Sequence, residues 1–216
     1  LGMLSAAAWV SSIGTWPSAD FVRHPTFGGA PAETGPLARH AQSPLVRLLL
    51  ERGHRVSARL FAKAIDVADC ASRMRYPFTD DVPALVDAVQ AAPAVGMARV
   101  TTARGALLCW VKIADGVIAD CAMVPAGAWN FHPEGPFCRE AMSGPETGED
   151  LEGARKRLTV LALALDPSIA HNVDRYSPSA TTVYAGPHSR AFAVIGRIVG
   201  SATGNDLSTS QRVLTG

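Results

Sequence analysis

The chain of 216 residues has little of what most cofactor and nucleic-acid sites are built from. Twenty Lys and Arg stand against 19 Asp and Glu, a formal net charge of +1. No basic stripe is present to neutralise phosphates, so no nucleic-acid partner is expected. Lysine is scarce: Lys63, Lys112 and Lys156 accompany 17 Arg, which reads as a coding bias. The four cysteines, Cys70, Cys109, Cys121 and Cys138, never form a Cys-x-x-Cys. That spacing excludes zinc knuckles, ribbons and iron–sulfur runs at motif level, and it suggests no disulfide framework. A reduced, cytoplasmic setting is expected, with no membrane partner. The apolar stretch Leu1–Ile13 has no positive flank and is broken by Ser and Gly before membrane-spanning length. The chain does not begin with Met, so it reads as a processed protein or as a fragment of a longer one.

What is present suits a packed core, at 48% hydrophobic and 18% charged residues. Residues 1–42, punctuated by Pro17, Pro25, Gly28, Gly29, Pro31, Gly35 and Pro36, read as irregular or short-strand material. Ser43-Pro44 then marks a helix start, Leu45, Leu48 and Leu49 give helical spacing, and Gly53 a stop. Val56, Leu60, Ala64, Val67 and Ala71 predict a second helix to about Met74. A short helix is expected from Asp80 or Asp81, with Leu85, Val86 and Val89 as its apolar side, ending before Pro93. Two apolar runs, Ala106–Ile113 and Val117–Val124, flank Asp115-Gly116, a strong hairpin signal. Residues 125–148 read as loop, and a last helix is expected from Glu149-Asp150 to Leu165. Beyond residue 171 the composition turns to Ser, Thr, Gly and Ala, with a periodic segment only at Ala191–Val199. These readings give an α+β class, mainly helical, with a hairpin or small antiparallel sheet around residues 98–124.

Isolated motifs carry little chemistry. Neither G-x-G-x-x-G nor G-x-x-x-x-G-K-[ST] occurs, and Ser168 has no G-x-S-x-G context. His24, His40, His132 and His171 have no i, i+4 partner, so structural histidines are the expectation. Glu33 with Asp20, or Glu134 with Glu140, are the carboxylate pairs available for acid–base work, and solvated loop carboxylates are the commoner outcome. Arg104-Gly105 stands at the mouth of the hairpin.

The order of the unusual segments is more specific. Glu33-Thr34-Gly35-Pro36-Leu37-Ala38-Arg39 resembles the E-V-G-P-L-A-R segment of nickel–iron hydrogenase large subunits. Arg104-Gly105-Ala106-Leu107, shortly before Cys109-Trp110, is similar to R-G-A-L-G-H-W-I. Val124-Pro125-Ala126, leading to Trp129-Asn130, resembles V-P-T-T-W-N, and a loop with Gly135-Pro136 follows. Leu165-Asp166-Pro167-Ser168, with His171 three residues on, stands where the family has F-D-P-C-x-x-C. Five landmarks in order, over roughly residues 16–174, mark the resemblance.

The resemblance implies a large-subunit-like domain over residues 1–174, lacking its N-terminal part, and a weakly ordered C-terminal tail over 175–216. It implies a site for iron carrying cyanide and carbon monoxide, with Arg104, Pro125 and Ala126 around those ligands. Ser168 and His171 replace the cysteines that bridge iron to nickel, so nickel is not expected. Cys109, in the place of a His, and His171 remain as candidate iron ligands, and Ser168 marks a lost Cys. Asp174 stands where the family has a metal-binding His, and Ala126 where a hydroxyl would donate to a cyanide. The closest type is the HupK-like (HoxV-like) hydrogenase expression/formation proteins, which lack the nickel-binding cysteines. The implied function is a non-catalytic maturation scaffold or carrier for the iron–cyanide–carbonyl unit. Its partners would be maturation factors and the true large subunit. A metal-free docking protein and a divergent or truncated large subunit are the alternatives.

Overall fold

The computed structural model describes residues 4–76, 84–143, 150–168, 171–176 and 193–198, the last two ranges and Leu151 by backbone alone. The chain divides into two compact units, Leu1–Pro136 and Phe137–Gly216.

The first unit begins with helices α1 (Ala6–Ile13) and α2 (Ala19–Arg23), followed by α3 (Pro36–His40), α4 (Pro44–Glu51) and α5 (Arg55–Arg75). Four strands then form a meander, β1 (Val86–Ala92), β2 (Val95–Thr102), β3 (Gly105–Ala114) and β4 (Val117–Val124). Helix α6 (Ala126–Asn130) closes it. Every neighbouring pair of strands is antiparallel. The β3–β4 turn has Asp115 at φ 51° and Gly116 at φ 76°, the two positive values that a tight two-residue hairpin needs.

Alternation divides the sheet. Its inner face carries Met97, Leu108, Trp110 and Val124, which pack with Ala6, Trp9 and Trp129 into the main core. Met97, Leu108 and Val124 each contribute about 1.5–3 kcal/mol by leaving water. A second cluster forms among α3, α4 and α5, from Val46, Ala58 and Ala62 with Leu37, Leu49 and Leu50 against them.

In the second unit, α7 (Pro136–Met142) leads to α8 (Leu151–Leu165), and β5 (His171–Tyr176) pairs antiparallel with β6 (Ala193–Ile198). Asp150 caps α8, its Oδ1 accepting from the Gly153 N–H at 2.7 Å. Asp166, left-handed at φ 58°, ends the helix before Pro167. The segment expected to be weakly ordered, 175–216, lies almost wholly outside the described residues; the periodic stretch near 191–199 contains β6.

The α+β class holds, and the hairpin and the helices at 44–51, 55–75 and 151–165 stand where expected. Three local expectations need correction. Val86–Ala92 form an edge strand and not a helix: Val86, Ala88 and Gln90 are exposed while Asp87 and Val89 are half-buried, a period of two fixed by pairing with β2. The expected start of that helix, at residues 80–81, lies outside the described residues. Residues 4–42 are irregular only between three short helices, with one bridge from Phe27 to Ala30; α1 and α2 are capped by Ser5 and Ser18, whose hydroxyls accept from the Ala8 and Phe21 N–H groups. The stretch 125–148 is not all loop, since α6 and α7 lie in it. Among the described residues no helix is long and apolar enough to cross a membrane.

Candidate functional site

Three of the sequence landmarks meet around one buried threonine. Thr34 is 4% exposed. Its N–H donates to Asn130 Oδ1 at 3.0 Å, and its Oγ1 accepts from the Ala106 N–H at 2.9 Å. One residue thus ties the segment before α3 to the start of β3 by its hydroxyl and to the end of α6 by its main-chain N–H. Asn130 is itself 3% exposed, so the bond lies in a dry setting where leaving the donor unpaired is costly.

Two glycines allow the approach. A Cβ on Gly35, at φ 121°, would stand 2.8 Å from the Arg104 carbonyl oxygen. A Cβ on Gly105, at φ 135°, would stand 2.6 Å from Thr34 Cγ2 and 2.9 Å from the Gly35 nitrogen. Only glycine fits either position, by space and by backbone angle. The turn bearing Arg104 is fixed further by Thr102, whose hydroxyl donates to the Gly105 carbonyl at 2.8 Å. Thr102 Oγ1 also accepts from the Arg104 and Gly105 N–H groups at 3.2 Å each. Arg104 therefore sits, exposed, on a turn clamped from beneath.

Charge pairs anchor the clamp to α5. Glu33 takes a two-pronged contact from Arg59, Nε to Oε1 at 2.8 Å and Nη2 to Oε2 at 2.7 Å, with Arg59 only 2% exposed. Arg39 makes the same fork on Asp66, at 2.9 and 2.6 Å, and its Nη1 donates to the Thr102 carbonyl at 3.3 Å. His40 Nε2 lies 3.1 Å from Asp66 Oδ1. Burial pushes the Asp66 carboxyl up, but the hydrogen bonds and charge of Arg39 and His40 outweigh it and hold the group below its ordinary value.

The other candidates are dispersed. Pro125 precedes α6 in extended conformation, exposed, and Ala126 is the buried first residue of that helix. Cys109 lies four residues along β3 from Gly105, about 13 Å at the strand rise. The register from Gly105 to Lys112 is unbroken, and Cys109 faces away from Leu108 and Trp110. Ser168, exposed, and His171, the first residue of β5, belong to the second unit.

Glu33 is engaged by Arg59, and Asp20 lies 3.6 Å from His24 Nδ1. His132 is buried, and its Nδ1 accepts from the Glu134 N–H at 3.0 Å. Among the described residues no three His, Cys, Asp or Glu side chains gather as a metal site. The sequence reading missed Thr34, Arg59 and Asp66, whose roles are set by contacts across 26 to 96 positions.

No protein-family model matches the chain. Among curated proteins, the hydrogenase expression/formation protein HupV of Azotobacter chroococcum is 32% identical over 148 residues, covering 68% of this chain and 39% of that protein. The hydrogenase expression/formation protein HupK of Rhizobium leguminosarum is 31% identical over 157 residues, 72% and 41% of the respective chains. HoxV of Cupriavidus necator, with the same description, is 27% identical over 175 residues, 77% and 44%. The chain spans about two fifths of the length of these relatives. The likeness to HupK-like hydrogenase expression/formation proteins, expected from the landmarks, thus holds across most of this chain.

Proposed function

We propose, from this kinship with HupK-like proteins, that the chain is a hydrogenase maturation accessory protein and not a hydrogenase. Its part is that of a large-subunit-like scaffold holding an iron–cyanide–carbonyl unit as transient cargo, for transfer to the true large subunit. The observation that carries the reading is the clamp of Thr34, Gly35, Gly105 and Asn130. It joins three landmarks distant in sequence and presents Arg104 on a fixed turn.

The residues fit one half of such a cargo. An arginine offers five N–H donors in a planar fork, suited to the nitrogen ends of anionic cyanides through charge-assisted hydrogen bonds. None of the four cysteines lies in the Arg104 turn. Arg104 would grip cyanide while no thiolate of that turn grips iron. Soft-metal affinity rises with thiolate count, so a donor set of this kind favours release over retention. Ser168 and His171 in place of two cysteines argue against nickel and against hydrogen turnover. A metal-free docking role is the second reading, favoured by Ser168, Ala126 and Asp174, which stand where the resemblance implies a thiolate, a hydroxyl and a metal-binding His.

The test is an infrared spectrum of the chain purified without oxygen after co-expression with the maturation machinery, with iron and nickel counted on the same sample. Cyanide and carbonyl stretching bands with iron and without nickel are expected, and Arg104→Ala should abolish or shift them. Absence of both bands and iron overturns the carrier reading in favour of docking.

A further inference from the structure

Three sulfur atoms gather on the outer face of the sheet, away from the clamp. Cys109 on β3 stands directly opposite Met123 on β4. Cys121, opposite Val111, lies two residues before Met123 and so on the same face. The ladder is regular from Leu108 to Lys112, and its one irregularity falls beyond, between Lys112 and Ile113. Cys121 and Met123 are exposed and Cys109 is half-buried, all as free thiols or thioether. Burial, and after it the neighbouring Cys121 thiol, push the Cys109 thiol up. Ala88, Gly96 and Ala98 beside Cys109 are small, and they leave an open trough of about 560 Å³ there.

The spacing separates two uses of such a pair. Diagonal positions across antiparallel strands have Cα atoms about 7–8 Å apart. A disulfide wants roughly 4.4–6.8 Å, so closing one here requires the ladder to move. An ion bound to two sulfurs at about 2.3 Å each holds them about 4 Å apart and needs no such movement. Two thiolates and a thioether are soft donors, and no carboxylate or imidazole joins them in a cluster among the described residues. Soft d10 ions are favoured by that set, and hard oxygen-seeking cations are not.

We propose that Cys109, Cys121 and Met123 form a binding site for one thiophilic d10 cation, of which Cu(I) fits best. Binding forms two metal–thiolate bonds and one thioether contact, and the two thiol protons go to solvent. No electron is transferred.

The experiment is an anaerobic titration of the reduced full chain with Cu(I), buffered by a colorimetric chelator. One tight equivalent is expected, and it should survive in the double variant Cys70→Ser/Cys138→Ser. In that background, Cys109→Ser and Cys121→Ser should each weaken binding more than tenfold, and Met123→Leu severalfold. Unchanged far-ultraviolet circular dichroism of each metal-free variant separates loss of ligand from loss of fold. The proposal is overturned if the double variant loses the tight equivalent, or if Cys121→Ser binds as the parent does. It is overturned too if glutathione disulfide converts the metal-free pair into a Cys109–Cys121 disulfide in peptide mapping, because the spacing argument then fails.

Discussion

The start of β3 and the outer face of its sheet live in different physical worlds. At the strand's start, Thr34 and Asn130 are 4% and 3% exposed, and the backbone approaches so closely that only glycines fit. Across the outer face of its sheet, Val86 on β1 is 59% exposed and Met123 on β4 56%. The first region is polar, closed and joined by named hydrogen bonds; the second is apolar, sulfur-bearing and open. A buried polar junction tolerates almost no change, since each lost partner leaves another group unpaired. An exposed strand face tolerates much, because little packing is at stake. If the clamp exists to hold Arg104 still, stability should be concentrated in it and nearly absent from the outer face.

The sharpest way to break this contrast is Arg59→Ala. The guanidinium is 2% exposed and is forked onto Glu33, whose carboxylate keeps 19% of its surface. Removing the cation strands a largely buried carboxylate, at about 3–5 kcal/mol. Urea unfolding should show the midpoint falling steeply, while replacing Glu33 and Arg59 together with apolar residues should recover part of the loss. A fall under about 1 kcal/mol would mean that the pair is wetter than its burial implies, and the clamp looser.

Gly105→Ala comes next. The added methyl meets Thr34 Cγ2 at 2.6 Å and the backbone at φ 135° resists it. Strain and overpacking together should cost about 3 kcal/mol by urea unfolding. The same variant should lose any cyanide and carbonyl bands that the parent carries, because the turn it displaces is the one bearing Arg104.

How far this could be read beforehand depends on the range of the interactions. The β3–β4 hairpin was legible because Asp115-Gly116 supplies the turn locally, and α8 because Asp150 and Asp166-Pro167 mark its ends. Residues 85–92 misled because Val, Ala and Gln suit either period, and pairing with β2 decides between them. Helix α1 was hidden among glycine and serine, though Ser5 is a local cap that could have found it. Arg104, Gly105 and the segment from Glu33 to Arg39 were legible as landmarks. Their meeting at Thr34 was not, since no periodicity encodes a bond across 96 positions. The outer-face sulfurs follow from register, which alternation suggested but only pairing fixed.

The smallest expected effect tests the open side of the comparison. Val86→Thr keeps the β-branched shape and places a hydroxyl at a position 59% exposed, on an edge strand. Its cost in urea unfolding should stay within about 0.5 kcal/mol, the usual range for surface changes. Such neutrality would match a face that carries no folding load, and the Cys109, Cys121 and Met123 variants could then be compared at equal stability. A loss above about 1.5 kcal/mol would mean that Val86 is covered in solution, since a hydroxyl costs that much only where water cannot reach it. The sulfur site would then lie on a covered face, and slow Cu(I) uptake, limited by opening of that cover, would be the kinetic sign separating it from an open one.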